Sequence, residues 1–245
     1  MYGALALFAT TALLLGSPAN TFAEPLASPG AIVSTDWLQQ HVDDPHVRVI
    51  CTGSRDSYEA GHIPGARLLD HMATLGAEHH LMATDALMTV LSKAGAADDV
   101  RIVLYGDDPM ATGWVFMAFA SLGHGRDVSF LDGNIALWKD EKRPLSTTTP
   151  KAAADHLTAT PATDVAVDAD WVRGHLKSPD VRVLDVRTQK EWSDGHLPGA
   201  PLVLWQDLFA DRKTLKFKSP EELRAVFTKA GVSPGQQIVT YCAVG

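Results

Sequence analysis

Two side chains near the C-terminal end have the types and positions for nucleophilic attack on an anion. Cys242 follows the apolar, β-branched run Ile238-Val239-Thr240-Tyr241, and Arg187 comes two residues after the run Val181-Arg182-Val183-Leu184-Asp185. A thiol is a nucleophile once ionised, and backbone N–H groups wrapped around it lower its pKa from an unperturbed value of about 8.5. Ala243, Val244 and Gly245 supply the start of such a wrapping loop. Arg187 is a permanent cation suited to holding an oxyanion while a neighbouring thiolate attacks it.

The sequence carries its own control for this reading, because it is a tandem duplication. A shift of 134 residues lays Val33, Asp36, Trp37, His41, Pro45, Val47, Arg48 and Val49 on Val167, Asp170, Trp171, His175, Pro179, Val181, Arg182 and Val183. The same shift superimposes Gly61-His62-Ile63-Pro64-Gly65-Ala66 on Gly195-His196-Leu197-Pro198-Gly199-Ala200. After a two-residue insertion, Lys93-Ala94-Gly95 meets Lys229-Ala230-Gly231, and Ile102-Val103-Leu104-Tyr105 meets Ile238-Val239-Thr240-Tyr241. Residues shared by the copies hold the fold; residues that differ at strand ends are candidates for function. Gly106 stands where the second copy has Cys242, and Cys51-Thr52-Gly53 stands where it has Asp185-Val186-Arg187. The first copy therefore reads as catalytically silent. Its Cys51 belongs to a different strand end from Cys242, so a disulfide between them is not expected.

Each copy alternates short β-branched runs with helical patterns, which implies a parallel sheet covered by helices on both faces, an α/β fold. Ser34 and Asp168 are candidate helix caps, residues 47–51 and 181–185 read as buried strands, and helices end at Gly95 and Gly231. Residues 101–105 and 237–241 read as further strands, and the first copy continues through a helix over 111–122 and a strand over 127–131. Ligands of such sheets sit beyond the carboxyl ends of the strands, where Arg187 and Cys242 fall. The expected domains are 30–145 and 167–245, joined over 146–166 by a linker rich in Thr, Ala and Pro.

With 245 residues, 46% of them hydrophobic, the chain can bury one or two ordinary cores. Lys and Arg number 21 against 29 Asp and Glu, a net charge of -8 with no long basic run, which argues against nucleic-acid or anionic-membrane partners. The apolar run Ala4 to Gly16 is shorter than the ~20 residues of a membrane helix. Followed by Thr21-Phe22-Ala23, it reads as a signal peptide over 1–23, although no Lys or Arg precedes it. A periplasmic or secreted protein, not stably membrane-associated after cleavage, is expected.

The motif set Asp185-Val186-Arg187, Glu191-Trp192, Gly195-His196-Leu197-Pro198-Gly199-Ala200 and Tyr241-Cys242-Ala243-Val244-Gly245 resembles the rhodanese family, specifically its two-domain thiosulfate and 3-mercaptopyruvate sulfurtransferases. The resemblance runs from about residue 30 onward, and Leu131-Asp132-Gly133, Trp138 and Arg143-Pro144-Leu145 are similar to the end of a complete domain of that family. It implies that Cys242 accepts a sulfane sulfur as a persulfide and passes it to a thiophilic acceptor such as cyanide or a thiol. It also implies that Arg187 contacts a small anionic donor, with the loop of Ala243, Val244 and Gly245 around the sulfur. Asp185, Glu191, His196 and Pro198 then brace the loops. No metal or organic cofactor is required, and a monomer is expected. Since Gly245 lies inside the active-site loop, and the first copy runs to Leu145, this chain is expected to be C-terminally truncated and poorly active, its parent protein active. Two other readings stay open: a binding or regulatory module without catalysis, and Cys-dependent phosphate or arsenate chemistry on the same fold.

His62 and His196 occur in both copies, including the one without a nucleophile, so a structural hydrogen-bonding role is favoured over base catalysis. His71, His79 and His80 near Glu78 match no established metal spacing and read as a solvated loop. Trp37, Trp171 and Trp192 read as packing residues.

Overall fold

The computed structural model describes residues 30–77, 80–151, 156–162 and 165–243. The segment read as a signal peptide, Glu78, His79, Val244 and Gly245 lie outside the described residues. In the first copy, β1 (Ile32–Val33) leads into α1 (Thr35–His41), whose cap Ser34 accepts a hydrogen bond from the Trp37 amide. There follow β2 (Val47–Cys51), α2 (Arg55–Ala60), β3 (Arg67–Leu68), a 3-10 turn at His71–Thr74 and α3 (Thr84–Lys93). Next come β4 (Arg101–Tyr105), α4 (Pro109–Ser121), β5 (Val128–Leu131) and α5 (Asn134–Asp140).

The five strands form one parallel sheet in the order β1-β5-β4-β2-β3. Their alternation builds two cores. Ile50, Ile102 and Leu104 pack with Leu87 and Leu91 of α3 and with Val115 and Phe119 of α4. Val49, Cys51, Val103 and Tyr105 point the other way, onto Leu38, Tyr58, Ile63 and Trp138. The central strands β2 and β4 are thus buried on both sides, which is why each reads as a nearly continuous apolar run. Gly95 ends α3 at φ +92°, and a side chain there would run into the Arg67 guanidinium.

The second copy repeats the plan with α6 (Ala169–His175), β6 (Val181–Asp185) and α7 (Gln189–Asp194). The hairpin β7 (Phe209–Asp211) and β8 (Lys216–Phe217), α8 (Pro220–Lys229) and β9 (Gln237–Tyr241) follow. β6 and β9 pair in the register of β2 and β4: Asp185 is opposite Tyr241 as Cys51 is opposite Tyr105. Leu202 bridges Asp185 in parallel, the counterpart of β3. The insertion between the copies falls in the hairpin tip, since the pair Phe209–Phe217 corresponds to Leu75–Leu81, a 134-residue offset on one arm and 136 on the other.

The stretch read as a linker, where it is described, runs along the first domain. Ser146 pairs with His62, Leu157 is 3% exposed within the α3–α4 core, and the Thr160 and Ala162 amides donate to the carbonyls of Leu122 and Ser121 at the end of α4. Orphan carbonyls at a helix C-terminus and one apolar side chain are enough to hold a stretch whose composition alone suggests mobility. Among the described residues, the Phe217 amide donates to Asp132 Oδ1 at 2.8 Å and Lys213 pairs with Asp140 at 3.2 Å across the two copies. Among the described residues, no helix is long and apolar enough to cross a membrane.

Candidate active site

The carboxyl ends of β6 and β9 bring the residues read from the sequence together. Asp185, the last residue of β6, is wholly buried, and its two oxygens receive Arg187 Nε at 3.0 and 3.1 Å and Nη2 at 2.6 Å. Its Oδ2 also accepts the Tyr241 hydroxyl at 2.6 Å, and its Oδ1 accepts the Arg187 amide at 3.0 Å. Burial works against the charge on Asp185, but Arg187 and Tyr241 outweigh it and hold the carboxyl down to about 2. Arg187 Nη2 donates in addition to the Gly195 carbonyl at 2.8 Å, and the guanidinium carbon lies 5.3 Å from the Tyr241 ring centroid. Arg187 is thus a cation whose Nε and Nη2 are committed inside the protein; its charge is balanced by Asp185, and Nη1 enters none of these bonds.

Tyr241 ties this network to the next loop by accepting the Leu197 amide at 3.0 Å. The loop itself is a tight turn, Ala200 N donating to Leu197 O at 3.0 Å with Pro198 and Gly199 at its centre. Proline fixes φ at the first central position, and Gly199 takes φ +79° at the second, the requirement of a type II turn. Glu191 sits at the start of α7, where its carboxylate accepts the Thr188 amide at 2.9 Å and hydroxyl at 2.6 Å, while Thr188 caps the helix in return.

His196 Nδ1 donates to the Trp192 carbonyl at 2.9 Å, and its ring stacks on the Trp192 ring at 4.1 Å. A carbonyl can only accept, so this bond puts a proton on Nδ1. The same device recurs in Trp37–His41, Tyr58–His62 and Trp171–His175. An aromatic residue four positions before a histidine therefore closes each of these helices, a signal present in the sequence that the reading of Trp37, Trp171 and Trp192 as general packing residues overlooked. His71 lies 3.5 Å from Asp70, whereas Glu78 and His79 are outside the described residues.

Cys242 follows β9 directly and is exposed, as is Ala243. Cys51 is buried, burial pushes its thiol pKa up, and no disulfide joins the two. The equivalent strand end of the first copy is closed. Thr52 and Thr112 join hydroxyls at 2.7 Å over Gly106, and a side chain on Gly106 would overlap the Thr52 hydroxyl. Thr52 also donates to the Tyr105 carbonyl at 3.2 Å. Tyr105 accepts the Ile63 amide as Tyr241 accepts that of Leu197, so the hydroxyl scaffold is common to both copies while the exposed thiol and the ion pair are not.

Comparison with known proteins identifies the family of this fold. The Rhodanese-like domain matches residues 34–141 and again 168–245. The sulfur carrier protein TtuD of Thermus thermophilus is 30% identical over 243 residues, covering 89% of this chain and 84% of the relative. A thiosulfate sulfurtransferase of Corynebacterium glutamicum is 28% identical, covering 91% and 80%. In fold, the chain is similar to the 3-mercaptopyruvate sulfotransferase SseA from Escherichia coli, with a TM-score of 0.75 and 24% identity over 88% of this chain and 89% of that one. With two matched domains and relatives aligned along most of their length, this chain belongs to the rhodanese family as a tandem two-domain member.

Proposed function

We propose that the protein is a sulfurtransferase in which Cys242 carries a sulfane sulfur between an anionic donor and a thiophilic acceptor. The observation that carries this reading is the contrast between strand ends: an exposed thiol after β9, and a glycine sealed under two threonines at the matching place in the first copy. The likeness to a sulfur carrier protein and to thiosulfate sulfurtransferases supports it.

The Cys242 thiolate attacks the outer sulfur of a donor such as thiosulfate. A Cys242 S–S bond forms as the donor S–S bond breaks, and the bonding pair leaves with sulfite. The amides of Ala243, Val244 and Gly245, with Arg187 Nη1, stabilise the negative charge as it moves to the leaving group. A cyanide or thiolate then attacks the terminal sulfur and returns Cys242 to the thiolate. Asp185, Glu191, His196 and Pro198 act through position only: they fix Arg187, the start of α7 and the turn beside the nucleophile.

Mass spectrometry after incubation with thiosulfate tests the assignment. One added sulfur on the peptide bearing Cys242, absent in Cys242→Ser, is the expected result; sulfur retained in that variant would refute the assigned nucleophile.

A further inference from the structure

Tyr241, Asp185 and Arg187 close a ring of hydrogen bonds that the first copy cannot form. The Tyr241 hydroxyl donates to Asp185 Oδ2 at 2.6 Å, Asp185 accepts Arg187 Nε and Nη2, and Nη2 donates onward to the Gly195 carbonyl at 2.8 Å. Two residues further on, the Leu197 amide returns to the Tyr241 hydroxyl at 3.0 Å. The hydroxyl is the link at which the ion pair and the turn after α7 meet. Burial and the Asp185 charge push its pKa up, so it keeps the proton that it donates.

The duplication separates the two bonds of this hydroxyl by role. Tyr105 accepts the Ile63 amide in the same way, at 3.2 Å, so that bond belongs to the shared fold. Where the second copy has Asp185, the first has Cys51, a buried thiol with a raised pKa, and where the second has Arg187 the first has Gly53. The bond to a carboxylate that grips a guanidinium is confined to the copy with the exposed thiol.

Its place in the fold puts it beside the nucleophile. Asp185 and Tyr241 are opposite each other in the β6–β9 register, and the Val186 amide donates at 3.2 Å to the Tyr241 carbonyl, the one bonded to the Cys242 nitrogen. The Arg187 guanidinium carbon lies 5.3 Å from the Tyr241 ring centroid. A guanidinium fork follows the plane of the carboxylate it grips. Here the Arg187 amide on Oδ1 and the Tyr241 hydroxyl on Oδ2 set that plane.

We infer that Tyr241 is a positioning residue: acting through Asp185, its hydroxyl orients the Arg187 guanidinium for an anionic sulfur donor at Cys242. This deepens the sulfurtransferase reading and rests on it. Loss of the hydroxyl leaves the ring, the β9 pairing and the cation in place but releases one edge of the carboxylate. Misplacing a group that contacts the reacting atoms by about 1 Å costs up to about 100-fold in rate.

The test uses the full chain and follows the Cys242 peptide by mass spectrometry. In Tyr241→Phe, loading by thiosulfate is expected to slow about tenfold, while alkylation by neutral iodoacetamide keeps the wild-type rate. Tyr105→Phe removes the equivalent amide bond from the first copy; it is expected to lower the unfolding midpoint and to load sulfur as the wild type does. In an Arg187→Met background, Tyr241→Phe should slow loading no further, because no fork is left to orient. Arg187→Lys, a point charge without a fork, serves if Arg187→Met folds poorly. Unchanged loading in Tyr241→Phe, an equal loss in Tyr105→Phe, or a full additive loss without Arg187 overturns the assignment. A second probe is independent of sulfur transfer: the ratio of alkylation rates by anionic iodoacetate and by iodoacetamide should fall about threefold in Tyr241→Phe. Should thiosulfate leave wild-type Cys242 without added sulfur, sulfur transfer itself fails, and an unchanged alkylation ratio then overturns the role of Tyr241 separately.

Discussion

The Asp185 carboxylate, wholly buried at the end of β6, is clamped by the Arg187 guanidinium two residues later at 2.6 to 3.1 Å. Its carboxyl titrates at about 2, below the ordinary 3.8, so the folded state favours the ionised form. That contribution is fully present above about pH 4 and is lost as the pH falls toward about 2; its size is on the order of 2 kcal/mol. Urea unfolding at a series of pH values checks this: Asp185→Asn should remove this share of the acid dependence between pH 4 and 2, leaving that of the other depressed carboxyls such as Asp98 and Glu141. Because the substitution leaves Arg187 without its counter-ion, it should also cost about 3 kcal/mol at neutral pH.

Gly106 is expected to tolerate no side chain. Gly106→Ala forces the new carbon against the Thr52 hydroxyl and should destabilise by about 1–3 kcal/mol. Adding Thr52→Ala removes the obstruction, so the pair should be less damaging than the sum of the singles by about 1 kcal/mol in a double-mutant cycle read by thermal or urea unfolding.

The equivalent histidines should differ in their effect on stability. His62 is 1% exposed, donates to the Tyr58 carbonyl and is covered by Ser146, whereas His196 makes the same local bond at the surface. His62→Ala should cost about 3 kcal/mol and His196→Ala about 1 kcal/mol or less, measured by chemical unfolding.

The two thiols should separate cleanly under a colorimetric thiol reagent near pH 8. Cys242 should react at once; Cys51, buried with its pKa raised, should react only after denaturation. Rapid native labelling of Cys51 would contradict its placement.

The sequence made the strand ends legible because VRVIC, VRVLD, IVLY and IVTY are short runs of mostly apolar residues, and because the duplication repeats them in register. The helix caps Ser34 and Asp168 followed from their polar side chains ahead of an apolar pattern. Less legible were features set by long-range partners. Nothing in the spacing of Asp185 and Arg187 announces a bidentate clamp, which depends on Gly195 and Tyr241 converging from elsewhere. The strap through Leu157 and the hairpin after Leu202 likewise rest on one buried side chain and on short pairings too brief to leave a periodic signal.

The threonine pair over Gly106 makes the two strand ends unequal in what they can accept. A cysteine placed at Gly106 by one codon change would meet an occupied space and harm the fold, so that strand end takes a side chain only if a threonine above it changes as well.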